Sequence, residues 1–197
     1  MNPIVTTGDG NTPLTPDELA ELIPDHLSTR HELNEWEREN ILRARAWAMR
    51  SASEIKIAIS DDYIRTLHKK MFDETWKWAG TYRNTERNLG VPPEDIREKL
   101  AALLGDVRHW VDHQTYTPQE LAVRFHYRLV CIHPFPNGNG RHARLLADVV
   151  NKILGGPPMS WGKADLASQR AARQMYLEAM RAGDTGNLKP LLDFARS

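Results

Sequence analysis

The stretch HPFPNGNGRHAR, residues 133–144, places a histidine before a glycine-rich turn and two arginines after it. Apolar residues at helical spacing on both sides predict that the turn joins two helices, the second beginning between Gly138 and Arg141. The first N–H groups of a helix have no partner inside the helix and carry partial positive charge. Glycines at such a position let a ligand approach the backbone. The stretch therefore predicts a phosphate cradle at the start of the second helix.

The side chains of this stretch predict the chemistry. Arg141 and Arg144 share one face of the predicted helix, and two guanidinium groups suit an oligophosphate better than a single anion. Asn139 can donate to phosphate oxygens without adding charge. His133, with an ordinary imidazole pKa of about 6.5, can accept a proton at neutral pH. A base beside an oligophosphate indicates a reaction in which a hydroxyl loses its proton and attacks phosphorus.

The composition of the 197-residue chain argues against several other classes of protein. The 26 basic and 26 acidic residues give a net charge of zero, so no general nucleic-acid or membrane surface is expected. Cys131 is the single cysteine, which excludes a disulfide within the chain. The N-terminus has no basic start followed by an apolar run, and no stretch is apolar over a membrane-spanning length. We therefore expect a cytoplasmic protein without a signal peptide.

Helix signals dominate the chain and predict an all-α fold. Capping boxes, in which a threonine precedes a glutamate by three residues, predict helix starts at Thr15, Thr29 and Thr117. Apolar residues at helical spacing predict further helices after residues 60 and 93, after the quoted turn, and over about 165–182 and 188–196.

The helical pattern breaks between Trp76 and Val91, where glycines and prolines predict a turn followed by a short β-hairpin, or flap. Trp78 is expected to support this flap. We divide the chain into an N-terminal arm with a possible inhibitory helix, residues 1–55, and a main domain, residues 56–197.

Residues 133–144 closely resemble the Fic motif, HPFx(D/E)GNGRxxR. The eight matching positions are His133, Pro134, Phe135, Gly138, Asn139, Gly140, Arg141 and Arg144. WAG at 78–80, followed by Arg83, is similar to the family's entry into its flap, and residues 176–191 are similar to its C-terminal helices. LNEWERENI, residues 33–41, is similar to the branch called mobile mystery protein B.

The resemblance implies a helical bundle with a short β-hairpin flap that transfers AMP from ATP to a hydroxyl of a target protein. His133 would be the general base on a Ser, Thr or Tyr hydroxyl. The turn of Gly138, Asn139 and Gly140 would hold the α- and β-phosphates, and Arg141 and Arg144 would hold the β- and γ-phosphates. The flap would align the target by adding a strand to it; its residues are Thr85, Glu86, Arg87, Asn88, Leu89 and Gly90.

One position departs from the family pattern. Asn137 stands where the family has Asp or Glu, whose carboxylate helps to hold Mg²⁺. Nucleotide sites bind Mg²⁺ through one or two carboxylates together with the phosphates. Asn137 offers a neutral carbonyl oxygen, so we expect a weaker Mg²⁺ ligand, with the ion held mainly through ATP.

Many Fic proteins carry an inhibitory helix with the pattern [S/T]xxxE[G/N], whose glutamate pairs with the last arginine of the motif. Ser28 and Glu32 fit the first part of this pattern, so Glu32 pairing with Arg144 is the candidate clamp. Glu32 also completes the capping box of Thr29, which is the competing interpretation. Glu35 and Glu39, followed by Asn40, are a second candidate without the hydroxyl.

Three other functions stay open. A Doc-like phosphotransferase would bind the nucleotide reversed, but the glycines at 138 and 140 favour AMP transfer. A nucleotide-binding regulator with little catalysis is supported by Asn137. A DNA-binding role draws little support from the balanced charge, although an antitoxin or another regulatory partner protein remains an option. The sequence does not indicate an oligomeric state.

Overall fold

The structure, a computed structural model, describes residues 15–51, 53–162 and 169–197. The predicted arm over residues 1–13 and the predicted start of a helix near 165 lie outside these ranges. The helices, labelled in chain order, are α1 (Pro16–Ala20), α2 (Arg30–Ser51), α3 (Ile55–Ala58), α4 (Asp61–Phe72), α5 (Ile96–Asp112), α6 (Pro118–Ile132), α7 (Asn139–Ile153), α8 (Gln169–Asp184) and α9 (Lys189–Arg196), with a 3₁₀ turn at Pro93–Asp95. The all-α prediction is confirmed.

The threonine capping boxes form as predicted. In α1 the Glu18 N–H donates to Thr15 Oγ1 at 3.3 Å, while the Thr15 N–H donates to the Glu18 carboxylate at 2.9 Å. The same reciprocal pair joins Thr117 and Glu120 at the start of α6. Each box satisfies N–H groups that the helix itself leaves unpaired, which is why these two helix starts could be predicted from sequence.

Helix α7 lies at the centre of the fold. It packs against α2, α3, α4 and α6, and most of its residues are buried. The main core includes Leu67 and Met71 from α4, Leu103 from α5 and Leu146 from α7. The smaller second core lies between α6, α7 and the C-terminal helices α8 and α9. The quoted motif runs from the end of α6 into the first turn of α7. Its loop is therefore held at both ends by helices that are largely buried.

The predicted β-hairpin flap is not observed: residues 81–92 contain no strand, and Leu22 with Trp76 forms an isolated bridge. The backbone of this segment bonds to the motif loop instead. The Arg83 N–H donates to the Pro134 carbonyl at 2.9 Å, and the Val91 N–H donates to the Ile132 carbonyl at 3.3 Å. In a hairpin these two N–H groups would bond between its own strands, whereas here they bond to carbonyl groups at the end of α6 and in the motif loop.

In the described part of the chain, no helix has both the length and the apolar composition to cross a membrane.

Helix α2 packs against α4 and α7 and contributes Leu33, Ala44 and Ala48 to the main core. The division of the chain at residue 55 stays a prediction.

Candidate active site

His133 ends α6 in a left-handed conformation, with φ 54° and ψ 58°. This conformation is uncommon for a residue other than glycine, and here tertiary contacts hold it. The His133 carbonyl accepts from Arg83 Nε at 2.7 Å, and its N–H donates to the Leu129 carbonyl at 3.1 Å. The chain therefore turns sharply at the residue that the sequence assigns as the base.

The His133 imidazole is buried, with 7% of the residue exposed. Burial lowers its pKa to about 4, helped by the positive charge of Arg83 and opposed by a hydrogen bond to the backbone of Val130. Removing a positive group from water disfavours its protonated form. The ring is therefore neutral at neutral pH, which is the state that a general base requires.

Gly138 is the N-cap of α7, with φ 77°. A Cβ atom at this position would lie 2.5 Å from Cζ of Phe72, so both the backbone conformation and the packing require glycine. The first bond inside α7 runs from the His142 N–H to the Gly138 carbonyl at 2.9 Å. The N–H groups of residues 139–141 precede that bond, so α7 itself supplies them with no acceptor, and the helix begins within the interval that the sequence predicted.

Asn139 shapes the loop with its side chain. Its Oδ1 accepts from the Phe135 N–H at 3.0 Å, and its Nδ2 donates to the Phe135 carbonyl at 2.8 Å. The sequence suggested this amide as a phosphate donor, but in the structure it is bonded within the loop. A nucleotide-binding role for Asn139 stays a prediction, and its backbone N–H is the group that would bind phosphate.

Arg141 and Arg144 extend from the first turns of α7 into different surroundings. Arg141 Nη1 contacts Glu37 Oε2 at 2.5 Å, and its guanidinium lies 4.9 Å from the ring centre of Phe72. The Arg144 guanidinium lies 5.1 Å from the ring centre of Tyr176. Burial lowers the pKa of Arg144, and the charges of neighbouring arginines act in the same direction. A bound anion would relieve this crowding of positive charge.

His68 on α4 is a site residue that the sequence analysis did not identify. The Gly80 N–H donates to His68 Nδ1 at 3.0 Å, and His68 Nε2 lies 3.1 Å from the Asn137 carbonyl oxygen. The ring stacks on Phe135 with 3.7 Å between ring centres. No sequence signal marked it, because His68 occupies an ordinary buried position on α4 beside Leu67 and Met71.

Comparison with known proteins identifies the domain. Residues 58–150 match the Fic/DOC family. Over 145 residues the chain is 32% identical to protein adenylyltransferase Fic from Nematostella vectensis, covering 70% of this chain and 31% of that relative. Residues 58–150 form a Fic/DOC family domain. Its similarity to protein adenylyltransferase fic-1 from Caenorhabditis elegans is 31% identity over 144 residues, or 69% of this chain and 26% of that relative.

Solved Fic structures share the fold. Fic-1 from C. elegans matches this Fic domain with a TM-score of 0.66 at 26% identity, over 90% of this chain and 51% of that one. The N-terminal Fic domain of a VirB-translocated Bep effector from Bartonella quintana, which holds bound ADP, matches with a TM-score of 0.65 at 19% identity, over 87% and 86% of the two chains. The present chain spans about a third or less of the curated relatives it matches. The mobile mystery protein B branch stays a prediction.

The flap of this Fic domain lies against the motif and α1 as an irregular segment. The Arg87 guanidinium pairs with the Glu18 carboxylate, and Thr85 Oγ1 donates to the same carboxylate at 3.3 Å. Gly90 has φ 97°, and a Cβ there would lie 2.6 Å from Cβ of His133. The other predicted flap residues, Glu86, Asn88 and Leu89, are exposed. Trp78 Nε1 donates to the Glu18 carbonyl of α1 at 3.2 Å, and its support of the flap stays a prediction.

Glu32 caps its own helix in this structure. Its carboxylate accepts from the N–H groups of Ser28 and Thr29 at 2.8 and 2.9 Å and from the Ser28 hydroxyl at 3.1 Å. These bonds lower the pKa of Glu32 to about 2. Among the described residues no ion pair joins Glu32 to Arg144, so the capping interpretation describes the observed state. A clamp by Glu32 stays a prediction.

Glu37 is the acidic residue of α2 that reaches a motif arginine. Its side chain is 5% exposed; one oxygen contacts Arg141 and the other accepts from Trp76 Nε1 at 2.8 Å. Glu35 and Glu39, the second candidates, are exposed. A signal for Glu37 existed in the sequence, because it lies four residues after Leu33 and three before Asn40 on the buried face of α2.

Asn137 is a poor ligand for a resident Mg²⁺ ion in this loop, and its role as a weak metal ligand stays a prediction. Its Oδ1 accepts from the Gly138 N–H at 2.6 Å, and this oxygen is neutral. Mg²⁺ favours carboxylates and phosphates, so a hydrogen-bonded amide oxygen does not fit a resident ion. Any Mg²⁺ in the reaction would enter with the phosphates of the nucleotide, as the sequence suggested.

Proposed function

We propose that this Fic domain is a protein adenylyltransferase, which transfers AMP from ATP to a Ser, Thr or Tyr hydroxyl of a target protein. The match to curated relatives named protein adenylyltransferase, at 32% and 31% identity over about 70% of this chain, supports the activity. The arrangement of the motif supports the chemistry. A neutral imidazole, a glycine-capped helix start and two arginines come from one continuous stretch of chain.

The proposed reaction begins with the target hydroxyl beside His133. Its proton moves to the imidazole while its oxygen bonds to the α-phosphorus of ATP. The bond from the α-phosphorus to the bridging oxygen breaks, and pyrophosphate leaves. The products are an AMP ester of the target protein and pyrophosphate, and the proton passes from His133 to solvent.

The N-terminus of α7 and the two arginines would stabilise the charge of this reaction. N–H groups in the first turn favour anions, and their position is fixed by the Asn139 side chain bonded to Phe135. Guanidinium groups at Arg141 and Arg144 suit phosphate oxygens on successive phosphates. Charge on the leaving pyrophosphate would thus develop against groups already oriented toward it.

A single observation carries the proposal: the buried His133 and the glycine-capped start of α7 are the two ends of one short loop. To test it, the wild type and His133→Ala are incubated with ATP and Mg²⁺, and intact mass is measured. We expect an added AMP in the wild type and none in His133→Ala, with ATP binding retained. His109→Ala on α5, which changes an exposed histidine, is the control and should label normally.

Labelled ATP distinguishes AMP transfer from the Doc-like reaction. Protein that retains the α label supports adenylyl transfer, whereas protein that retains the γ label shows phosphoryl transfer. Labelling that persists in His133→Ala would contradict the assignment of the base.

We further propose that Glu37 restrains this activity by holding Arg141. The ion pair at 2.5 Å occupies a guanidinium that the proposed reaction needs for phosphate. Glu32, the candidate from sequence, would have to leave three hydrogen bonds at Ser28 and Thr29 to reach Arg144. Glu37 requires no such rearrangement, which favours it as the inhibitory residue.

A nucleotide-binding regulator with little catalysis is the second candidate, and the neutral Asn137 favours it. A loop without a carboxylate would hold ATP but place Mg²⁺ poorly. ATP binding without any transferred label, even after Glu37 and Glu32 are replaced, would support this function over adenylyl transfer.

A further inference from the structure

We propose that His68 is a positioning residue. By holding the Asn137 carbonyl, it fixes the direction of the Gly138 N–H, the first N–H group of the phosphate cradle. The inference rests on the proposed function, since it assigns a role in nucleotide binding. It concerns a side chain on α4, outside the motif, that would contact neither ATP nor the target protein.

The hydrogen bonds of His68 define its tautomer. The Gly80 N–H can only donate, so the Nδ1 atom that it contacts at 3.0 Å must carry a lone pair. The Asn137 carbonyl oxygen can only accept, so Nε2 at 3.1 Å must carry the hydrogen. A neutral ring with the hydrogen on Nε2 satisfies both bonds, and the other tautomer satisfies neither.

The bond to Asn137 acts on the peptide unit between Asn137 and Gly138. In a trans peptide the carbonyl and the following N–H point in opposite directions. Because His68 holds the Asn137 carbonyl toward α4, the Gly138 N–H points away from α4. It now meets an oxygen at 2.6 Å, which is Asn137 Oδ1. A phosphate oxygen that displaced this Oδ1 would meet the same N–H.

The surroundings of His68 leave the ring little freedom to move. The residue is fully buried and stacks on Phe135, with 3.7 Å between ring centres and 15° between planes. Gly80, with φ 80°, brings the backbone close to α4, since a Cβ there would lie 2.9 Å from Cβ of Lys69. The His68 ring is bonded to Gly80 through one nitrogen and to Asn137 through the other. It thereby sets the distance between the entry to the flap and the phosphate cradle.

His142 offers a matched control within the same aromatic cluster. It is fully buried, and its ring lies edge-on to Phe135 with 5.2 Å between ring centres. Its Nε2 bonds to the Ile64 carbonyl at 3.0 Å, so this hydrogen bond joins α7 to α4 and does not involve the backbone of the loop. Replacing either histidine with phenylalanine removes two ring nitrogens from the same core, but only the His68 replacement releases the Asn137 carbonyl, together with the Gly80 N–H.

The first measurement compares the dissociation constant for ATP and the melting temperature of His68→Phe and His142→Phe. We expect both variants to melt below the wild type, and His68→Phe alone to bind ATP about tenfold more weakly, the effect of losing one well-made hydrogen bond. Equal affinities in the two variants, whether reduced or unchanged, would overturn the positioning role. Absence of ATP binding by the wild type would instead contradict the proposed function.

The second measurement needs neither a variant nor a nucleotide. NMR of ¹⁵N-labelled wild type reports which ring nitrogen of His68 carries the hydrogen, and a scalar coupling between the Gly80 amide nitrogen and Nδ1 reports their hydrogen bond. The proposal requires hydrogen on Nε2 together with this coupling. Hydrogen on Nδ1, or no coupling to Gly80, would overturn it even if His68→Phe does not fold.

Discussion

Glu32 and Glu37 lie on the same helix, yet their surroundings give them different capacities to regulate the site. Glu32 is exposed and bonded to the helix start, where water screens its charge. Glu37 is buried between Arg141 and Trp76, where a charge interacts strongly and needs a partner. A phosphate that enters the cradle would therefore compete with Glu37 for Arg141.

Glu37→Gln should release Arg141 for the nucleotide. The neutral amide oxygen of the new side chain can still accept from Trp76, so we expect the fold to persist, ATP to bind about tenfold more tightly, and self-labelling with AMP to increase. Calorimetric titration with ATP and intact-mass measurement check both effects. Glu32→Gln is the matched control: it should weaken the cap at the start of α2 and keep the wild-type ATP affinity. Increased labelling in the Glu32 variant alone would restore the sequence-based clamp.

At the scale of elements, α1 is fastened to the flap by one carboxylate. Glu18 closes the capping box of α1 and also accepts from Thr85 and Arg87. Burial raises its pKa, but the hydrogen bonds from Arg87 and Thr15 outweigh that effect and leave the pKa lowered. In this structure Arg87 forms an internal ion pair that holds the flap to α1, and its part in positioning a target stays a prediction.

The variant Glu18→Gln should loosen the flap. A neutral side chain leaves the Arg87 charge poorly paired, so we expect a loss of about 2 kcal/mol in unfolding free energy and faster amide hydrogen exchange over residues 83–91. Asp17→Asn is the control, because it neutralises an exposed carboxylate in the same turn of α1. If exchange over residues 83–91 is equal in both variants, Glu18 does not hold the flap.

At the largest scale, four histidines of the described residues are buried, and none of these four is expected to be charged at neutral pH. Burial lowers the pKa of His133 and His142 to about 4 and that of His126 to about 3. It also lowers the pKa of His68 well below its usual value. His68, His126 and His142 lie on α4, α6 and α7, and His133 directly follows α6. Acidification therefore acts on the site and on the core together.

Stability should fall on acidification because the unfolded chain binds more protons than the folded one below the ordinary histidine pKa of about 6.5. The contribution of the buried neutral histidines to the free energy of unfolding is complete above that pH and is lost as the pH falls toward about 4. We expect the melting temperature to fall by roughly 10 °C between about pH 7.5 and 5. His142→Phe should show a shallower dependence. A melting temperature that is constant or rises over this range would contradict the burial of these rings as neutral groups.

Much of the helical framework could be predicted because it depends on local signals. The boxes of Thr15 and Thr117 lie where the threonines predicted helix starts, and the helix after the glycine turn begins within the predicted interval. The flap was predicted as a hairpin because glycines and prolines mark a turn. The N–H groups of this segment instead bond to the carbonyls of Pro134 and Ile132. Those residues are distant in sequence, so the local pattern of glycines and prolines could not predict these bonds.

The helices, the family resemblance and the order of base, glycine turn and arginines could be inferred from sequence, because each depends on residues close together in the chain. The tertiary structure alone decided which acid meets Arg141, which ring holds the Asn137 carbonyl, and how Glu18 holds the flap. Those contacts join residues on separate helices, and a buried charge or carbonyl takes whichever partner the packing brings within bonding distance. Helical spacing could mark Glu37 as buried, but only the packing of α2 against α7 placed it beside an arginine.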